Sequence, residues 1–335
     1  MNCSKEVIVQ TRTVAVHLIL LIGILLLSAS PLFAQADELV RHFDYDRHAP
    51  LGVKQIGVQH RERADVYDIT YSSLKGGVVP AYLVVPKGRG LFAGVIWGHW
   101  YWDNSSMRNR KEFLDEAVVL AQAGVVSLLT DGPVARPGHQ EIKDPLDERN
   151  ATEFFQQVMD MRRGVDVLLA RKDVDAKRIA YVGHSYDAGV GALLSGVDRR
   201  FKVFVLMAGS MSDEVWRQTK EFEEFRQKAG AEKVDAFIAK YSYLDQGKYV
   251  SHAAPAFVFL QYAKEKWLTP ERARQYAAIV SEPKRFKLYE APHALNAEAR
   301  RDRIAFLTQQ LKLKPLSAAL IATIPDLYQP PEPNQ

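Results

Sequence analysis

The chain of 335 residues contains a single cysteine, Cys3, which stands ahead of an apolar run near the amino terminus. One thiol cannot form an internal disulfide, so a disulfide-stapled scaffold and a cysteine-built zinc site are both excluded. No His-Glu-x-x-His occurs and no histidines recur at metal-ligand spacing, which leaves zinc hydrolysis without a signature. The glycines of "GVGALLSG", residues 189–196, lack a Walker lysine, and no G-x-G-x-x-G follows the early strands, so nucleotide binding is not indicated. Charge of one sign is also missing. Lys and Arg total 44 against 40 Asp and Glu, a formal net charge of +4 without long like-charged runs, so nothing marks a nucleic-acid surface. There are no internal repeats. What remains is chemistry that side chains perform unaided, with no cofactor and no metal expected.

A composition of 47% hydrophobic and 25% charged residues is that of an ordinary folded domain. At the amino terminus Lys5 and Arg12 precede an apolar run from Val14 to Leu27, and Ala34 and Ala36 satisfy the small-x-small cleavage pattern. This predicts a secretory signal peptide over residues 1–36, cut after Ala36, with a mature chain starting at Asp37. The alternative is an uncleaved anchor, because the segment from Val14 to Ala34 nearly spans a bilayer. Cleavage would leave no stable membrane insertion and remove Cys3. An exported protein without thiols fits a bacterial periplasm or secretion.

After the signal, short β-branched or aromatic runs alternate with longer segments of three- and four-residue apolar spacing. Strands are predicted near Ala64–Ser72, Val79–Val85, Ala93–Trp97, Val125–Thr130, Arg178–Gly183, Lys202–Met207, Ala256–Gln261 and Arg285–Tyr289. Helices are predicted over Asn109–Ala123, Ala151–Arg171, Ala188–Gly196, Pro270–Ser281 and Ala297–Leu313. An antiparallel start followed by repeated strand–helix units indicates one α/β domain, residues 37–315, built on a doubly wound, mostly parallel eight-stranded sheet. Residues 316–335 read as a Pro-rich C-terminal tail, whose end "IPDLYQPPEPNQ" is expected to be loose.

One stretch carries chemistry. "RIAYVGHSYDAGVGALLSG" places Ser185 between a predicted strand and a predicted helix, the strand–turn–helix setting of a nucleophile elbow. Such a turn strains the backbone and brings strand and helix close, so its neighbours must be small; Gly183, Ala188, Gly189, Gly191 and Ala192 supply that room. Asp187 departs from the pattern, since it stands where a small residue is usual. It is read as a first-turn carboxylate favoured by the helix dipole, with repulsion of an oxyanion or contact with a cationic substrate as the functional alternatives. A serine hydroxyl needs a base, and the base an orienting acid. His293 follows the last predicted strand in "KRFKLYEAPHALN" and so lies at the same sheet edge as Ser185. Glu265, shortly after the strand Ala256–Gln261, is the predicted acid, with Asp131 in "TDGPVARPGHQ" as runner-up. The order Ser185, Glu265, His293 is the nucleophile–acid–base order of one hydrolase class.

From about Ala64 to Leu313 the chain resembles the α/β-hydrolase superfamily, and within it the dienelactone-hydrolase-like branch, most closely in "GHSYDAGVGALLSGVDRRFKVFVLMAGS" and "PKRFKLYEAPHALNAEARRDRIAFL". The resemblance implies the α/β-hydrolase fold and an oxyanion hole. One of its donors is the N–H after the nucleophile, on Tyr186, and the other comes from the loop "VIWGHWYWDNSS". There Gly98-His99 stands in the place of the usual His-Gly, so Trp100 is the expected second donor and Tyr101 the fallback. Trp97, Trp100, Tyr101 and Trp102 also form an aromatic cluster that can pack as core and rim. Glutamate beside Lys266 departs from the more usual aspartate.

Residues 210–254 form a mainly helical, lid-like insertion, in which Trp216, Phe222, Phe225, Phe237, Tyr241 and Tyr243 give an apolar face that either docks on the sheet edge or shapes an acyl or aromatic pocket. The expected function is a secreted serine hydrolase cleaving small carboxylic esters through an acyl-enzyme on Ser185. A peptidase or thioesterase of the same fold, or a non-catalytic binding protein, are the alternatives.

Overall fold

The computed structural model describes residues 39–101, 105–265 and 268–327. The expected signal peptide with its cleavage site, Trp102 of the aromatic loop, Lys266 and the last eight residues of the tail lie outside the described residues. Contacts divide the chain after Asp44. Of the first unit, the described part holds a helical turn at residues 39–41; the second, from Tyr45 onward, carries the sheet.

The described residues form a nine-stranded sheet in the order β1-β2-β3-β5-β4-β6-β7-β8-β9. Its strands are β1 Lys54–His60, β2 Ala64–Ser72, β3 Val78–Pro86, β4 Phe92–Gly98, β5 Val125–Thr130, β6 Val174–His184, β7 Phe201–Met207, β8 Phe257–Ala263 and β9 Lys284–Tyr289. β1, β2 and β3 pair antiparallel, β3 meets β5 antiparallel, and every later pairing is parallel. The eight expected strands correspond to β2–β9, so the count of eight is corrected to nine. The strand left out, "KQIGVQH", is an edge strand paired with β2 and mostly exposed on both faces. Without a buried face it has no hydrophobic alternation to announce it.

Alternation along the central strands sorts side chains onto two faces. Val95, Trp97 and Leu129 join a core with Phe113, Ala117 and Leu120, which belong to the helix Leu114–Ala121 and its entry, and with Ile304 and Leu307 of the helix Ala297–Gln310. Ile96 and Leu128 point the other way, against Gly164 of the helix Glu148–Leu169, where a Cβ would come within 2.9 Å of Leu128. Gly98 pairs with Gly183, and His184 with Met207. The chain therefore leaves β4, β6 and β7 at one level of the same edge, where parallel sheets place their ligands.

Between β7 and β8 the insertion forms helices over Asp213–Arg217, Lys220–Ala229, Ala231–Lys240 and Gln246–Val250. The described residues 316–327 of the tail pack on the core, and the rest of the stretch expected to be loose lies outside the described residues. Ile324 is buried in the core cluster, with Leu320 and Leu327 against it, and Arg300 donates to the carbonyl of Pro325 at 3.0 Å.

Candidate active site

β6 ends at His184 and the helix Tyr186–Val197 begins two residues later, so Ser185 alone makes the turn, with φ 54° and ψ −109°. Positive φ is uncommon for a residue with a Cβ and persists only where the surroundings impose it. Here the Ser185 N–H donates to the Met207 carbonyl at 2.7 Å, and the Ala188 N–H donates to the Ser185 carbonyl at 3.0 Å. Two glycines make the turn possible. A Cβ on Gly183 would sit 2.2 Å from the Asp187 carbonyl oxygen, and one on Gly209 would sit 2.2 Å from the Ser185 carbonyl oxygen. Gly209, after β7, carries no sequence signal of its own; its importance appears only once β7 lies beside the elbow.

His293 comes from the loop after β9, and its ring spans two partners. Nε2 lies 2.8 Å from the Ser185 hydroxyl, and Nδ1 lies 2.9 and 3.0 Å from the two carboxylate oxygens of Glu265. The network assigns the proton to Nδ1, donating to Glu265 and leaving Nε2 to accept from Ser185. Burial holds the His293 pKa below the ordinary histidine value, against the raising effect of the Glu265 hydrogen bond, so the ring is neutral at neutral pH. Asp131, the runner-up acid, is engaged elsewhere: its Oδ1 accepts from the Arg110 N–H at 2.8 Å and its Oδ2 lies 3.5 Å from the Arg110 guanidinium. The structure thus brings Ser185, His293 and Glu265 together and keeps Asp131 apart.

No family model matches the chain, and no curated protein matches it in sequence. Solved structures do. An acetyl xylan esterase from Paenibacillus sp. R4 superposes with a TM-score of 0.64 at 17% identity, covering 83% of this chain and 93% of that one. Acetyl xylan esterase 1 from Thermoanaerobacterium sp. JW/SL YS485 gives 0.67 at 14% identity, covering 82% and 93%. A glucuronoyl esterase from Solibacter usitatus gives 0.60 at 15% identity, covering 82% and 91%. The fold is that of the α/β hydrolases.

On an α/β-hydrolase sheet the oxyanion donors come from the nucleophile helix and from the loop after the strand that here is β4. Tyr186 opens the helix, where the first N–H groups have no intrahelical acceptor. The expected second donor requires correction. The Trp100 N–H donates to Glu112 Oε2 at 2.6 Å, so it is already engaged. Tyr101, the fallback, lines a cleft together with Ser185 and Tyr186.

Glu112 and His184 were not singled out from sequence as site residues, and together they underpin the Ser185–His293 pair. Glu112 Oε1 is hydrogen-bonded to His184 Nδ1, and His184 Nε2 donates to the His293 carbonyl at 2.9 Å. Burial pushes the Glu112 carboxyl well above the carboxylate range and pulls His184 down to about 4. Both directions describe a neutral pair, with the acid proton on Glu112 donating to Nδ1. The Trp100 ring stacks on His184 at 5.1 Å and on His293 at 6.2 Å. One glutamate therefore ties the β4 loop to the strand end that carries Ser185, and through His184 to the loop that carries His293. The sequence offered no hint, because Glu112 stands in the charged stretch Arg108-Asn109-Arg110-Lys111-Glu112, where one more acid looks like surface.

Asp187 is not a solvent-facing helix cap. It is fully buried, and its two oxygens each lie 3.2 Å from the Gln157 amide nitrogen. Burial raises its pKa well above the ordinary carboxylate value, so it sits as a neutral acid beneath the elbow. It pins the elbow to the helix Glu148–Leu169 and packs against Gly98 at the end of β4, where an added Cβ would sit 2.5 Å from the Asp187 Cβ.

Proposed function

We propose that the protein is a serine hydrolase cleaving carboxylic esters through an acyl-enzyme on Ser185. The observation that carries this reading is the single His293 ring held 2.8 Å from the Ser185 hydroxyl while its other nitrogen is held by Glu265. Ser185 Oγ attacks the ester carbonyl carbon as its proton passes to His293 Nε2. The carbonyl oxygen becomes an oxyanion facing the Tyr186 and Tyr101 N–H groups, which are the proposed donors. Collapse breaks the bond to the alcohol oxygen, which takes the proton from Nε2. A water then gives its proton to Nε2, attacks the acyl carbon and releases the acid, returning the proton to Ser185. Glu265 keeps the Nδ1 proton in place and stabilises the imidazolium formed in each half.

The esterases among the structural neighbours support ester over amide or thioester substrates. The stretches around Ser185 and His293 support a place in the dienelactone-hydrolase-like branch, and the Lys5, Arg12 and Ala34-x-Ala36 pattern supports export to the periplasm or beyond. No helix among the described residues is long and apolar enough to cross a membrane. Labelling with a fluorophosphonate tests the mechanism: Ser185 should be modified in the folded protein, and Ser185→Ala should lose both label and ester turnover, the latter by on the order of 10⁶. Unlabelled folded protein, or turnover retained by Ser185→Ala, would overturn it.

A further inference from the structure

Ser185 lies at the seam of two cavities. One, of about 420 Å³, runs under the helical insertion and is walled by Leu146, Phe154, Val234, Phe237, Ile238 and Leu244. The other, of about 350 Å³, is lined by Tyr101, Ser210 and Ser212 on the side of the loop after β4. Asp213, Trp216 and Gln246 line both.

The two cavities differ in chemistry. The first is apolar and falls within the size range of pockets that hold a whole small ligand, far more room than a two-carbon acyl group fills. The group that remains bonded to Ser185 after the alcohol departs is the one that gains most from such walls, because it must stay ordered until water arrives. The seam itself is acidic. Asp213 accepts no hydrogen bond among the described residues, and Asp245 stands beside it with Oδ1 taken up by the N–H groups of Asp213 and Gly247, each at 3.0 Å. Among the described residues neither cavity is lined by a lysine or arginine. An anionic substrate would find no counter-ion and would meet Asp213 directly.

We propose, building on the serine-esterase reading above, that the substrate is an uncharged ester whose acyl part is an apolar group of ring size seated under the insertion, and that Asp213 excludes esters carrying a carboxylate.

The test is an acyl series of 4-nitrophenyl esters with the full chain: acetate, butyrate, benzoate and the anionic hemisuccinate. Each buried methylene is worth roughly fourfold, so with two more methylenes kcat/KM for butyrate should exceed that for acetate by about fifteenfold. Hemisuccinate should fall below acetate, and Asp213→Asn should narrow that gap by severalfold. Ile238→Trp, which fills the apolar cavity, should lower the butyrate-to-acetate ratio by about tenfold. A measurement on the unaltered protein guards against a misfolded variant: phenylmethanesulfonyl fluoride should inactivate it faster than methanesulfonyl fluoride. Acetate hydrolysed as fast as the larger esters, hemisuccinate accepted as well as butyrate, or equal inactivation by the two sulfonyl fluorides would overturn the proposal while leaving the serine mechanism standing. Failure of every ester together with an unlabelled Ser185 would overturn both.

Discussion

Replacing Asp187 separates a buried neutral acid from a charged cap, and the two substitutions Asp187→Asn and Asp187→Ala do so in opposite ways. Alanine leaves the Gln157 amide without its acceptor in a site closed to water. An unpaired buried donor costs about 1–3 kcal/mol, so a loss of that size is expected, a large part of a domain's stability. Asparagine keeps an acceptor oxygen for the Gln157 amide, and its NH₂ can reach the buried Gln157 Oε1, which has no partner among the described residues. It should cost less than about 1 kcal/mol near pH 5. The sign of the pH dependence follows from the raised pKa. Above about pH 4 the unfolded chain releases the Asp187 proton while the folded chain keeps it, so the wild type loses about 1.4 kcal/mol per pH unit until the folded value is reached. The Asn variant has no such loss. Urea unfolding of both proteins across about pH 4.5–7 therefore should show the variant gaining on the wild type as pH rises, other titrations cancelling in the difference. Ester turnover should stay within a few-fold, because Asp187 lines neither cavity. A pH-independent difference between the two proteins, or an Asn cost above about 3 kcal/mol at pH 7, would show that the carboxylate is charged in the fold and refute the reasoning.

Glu265→Gln should lower kcat by about 10²–10⁴ with the serine still labelled slowly, whereas Asp131→Asn should change it little; steady-state kinetics of the two variants rank them directly. The acid limb of kcat/KM should have its midpoint below the ordinary histidine value of about 6.5, because burial depresses His293 and activity vanishes as that ring takes a proton. A midpoint above 7 in a pH–rate profile would mean that the Glu265 carboxylate outweighs burial. Glu112→Ala removes the acceptor of the Trp100 N–H and the donor to His184 Nδ1, and should cost about tenfold or more in kcat with little change in KM. Glu112→Gln, which can accept from one and donate to the other, should restore most of that loss.

These residues differ in how far the sequence announces them. Ser185 is visible because a strained turn demands small neighbours in consecutive positions, and His293 because it ends the last strand–helix unit; both signals are local. Strands β2 to β9 are legible for the same reason, since burial on one or both faces writes itself into the order of residues. β1, exposed on both faces, writes nothing. Glu112, Gly209 and Gln157 are silent in a different way. Each matters through a partner distant in the chain: Glu112 through His184, Gly209 through the Ser185 carbonyl, Gln157 through Asp187.

Asp187 shows why local reasoning misassigns such residues. A carboxylate in a first helical turn has an adequate local explanation in the dipole, and that explanation assumes solvent. The small residues that allow the elbow to close also bring helix, strand and β4 loop together over Asp187, so the water is gone. With the water goes the charge, and a residue that reads as an electrostatic cap becomes a neutral hydrogen-bonding spacer. The same compaction that makes Ser185 readable therefore hides the role of the residue two places after it.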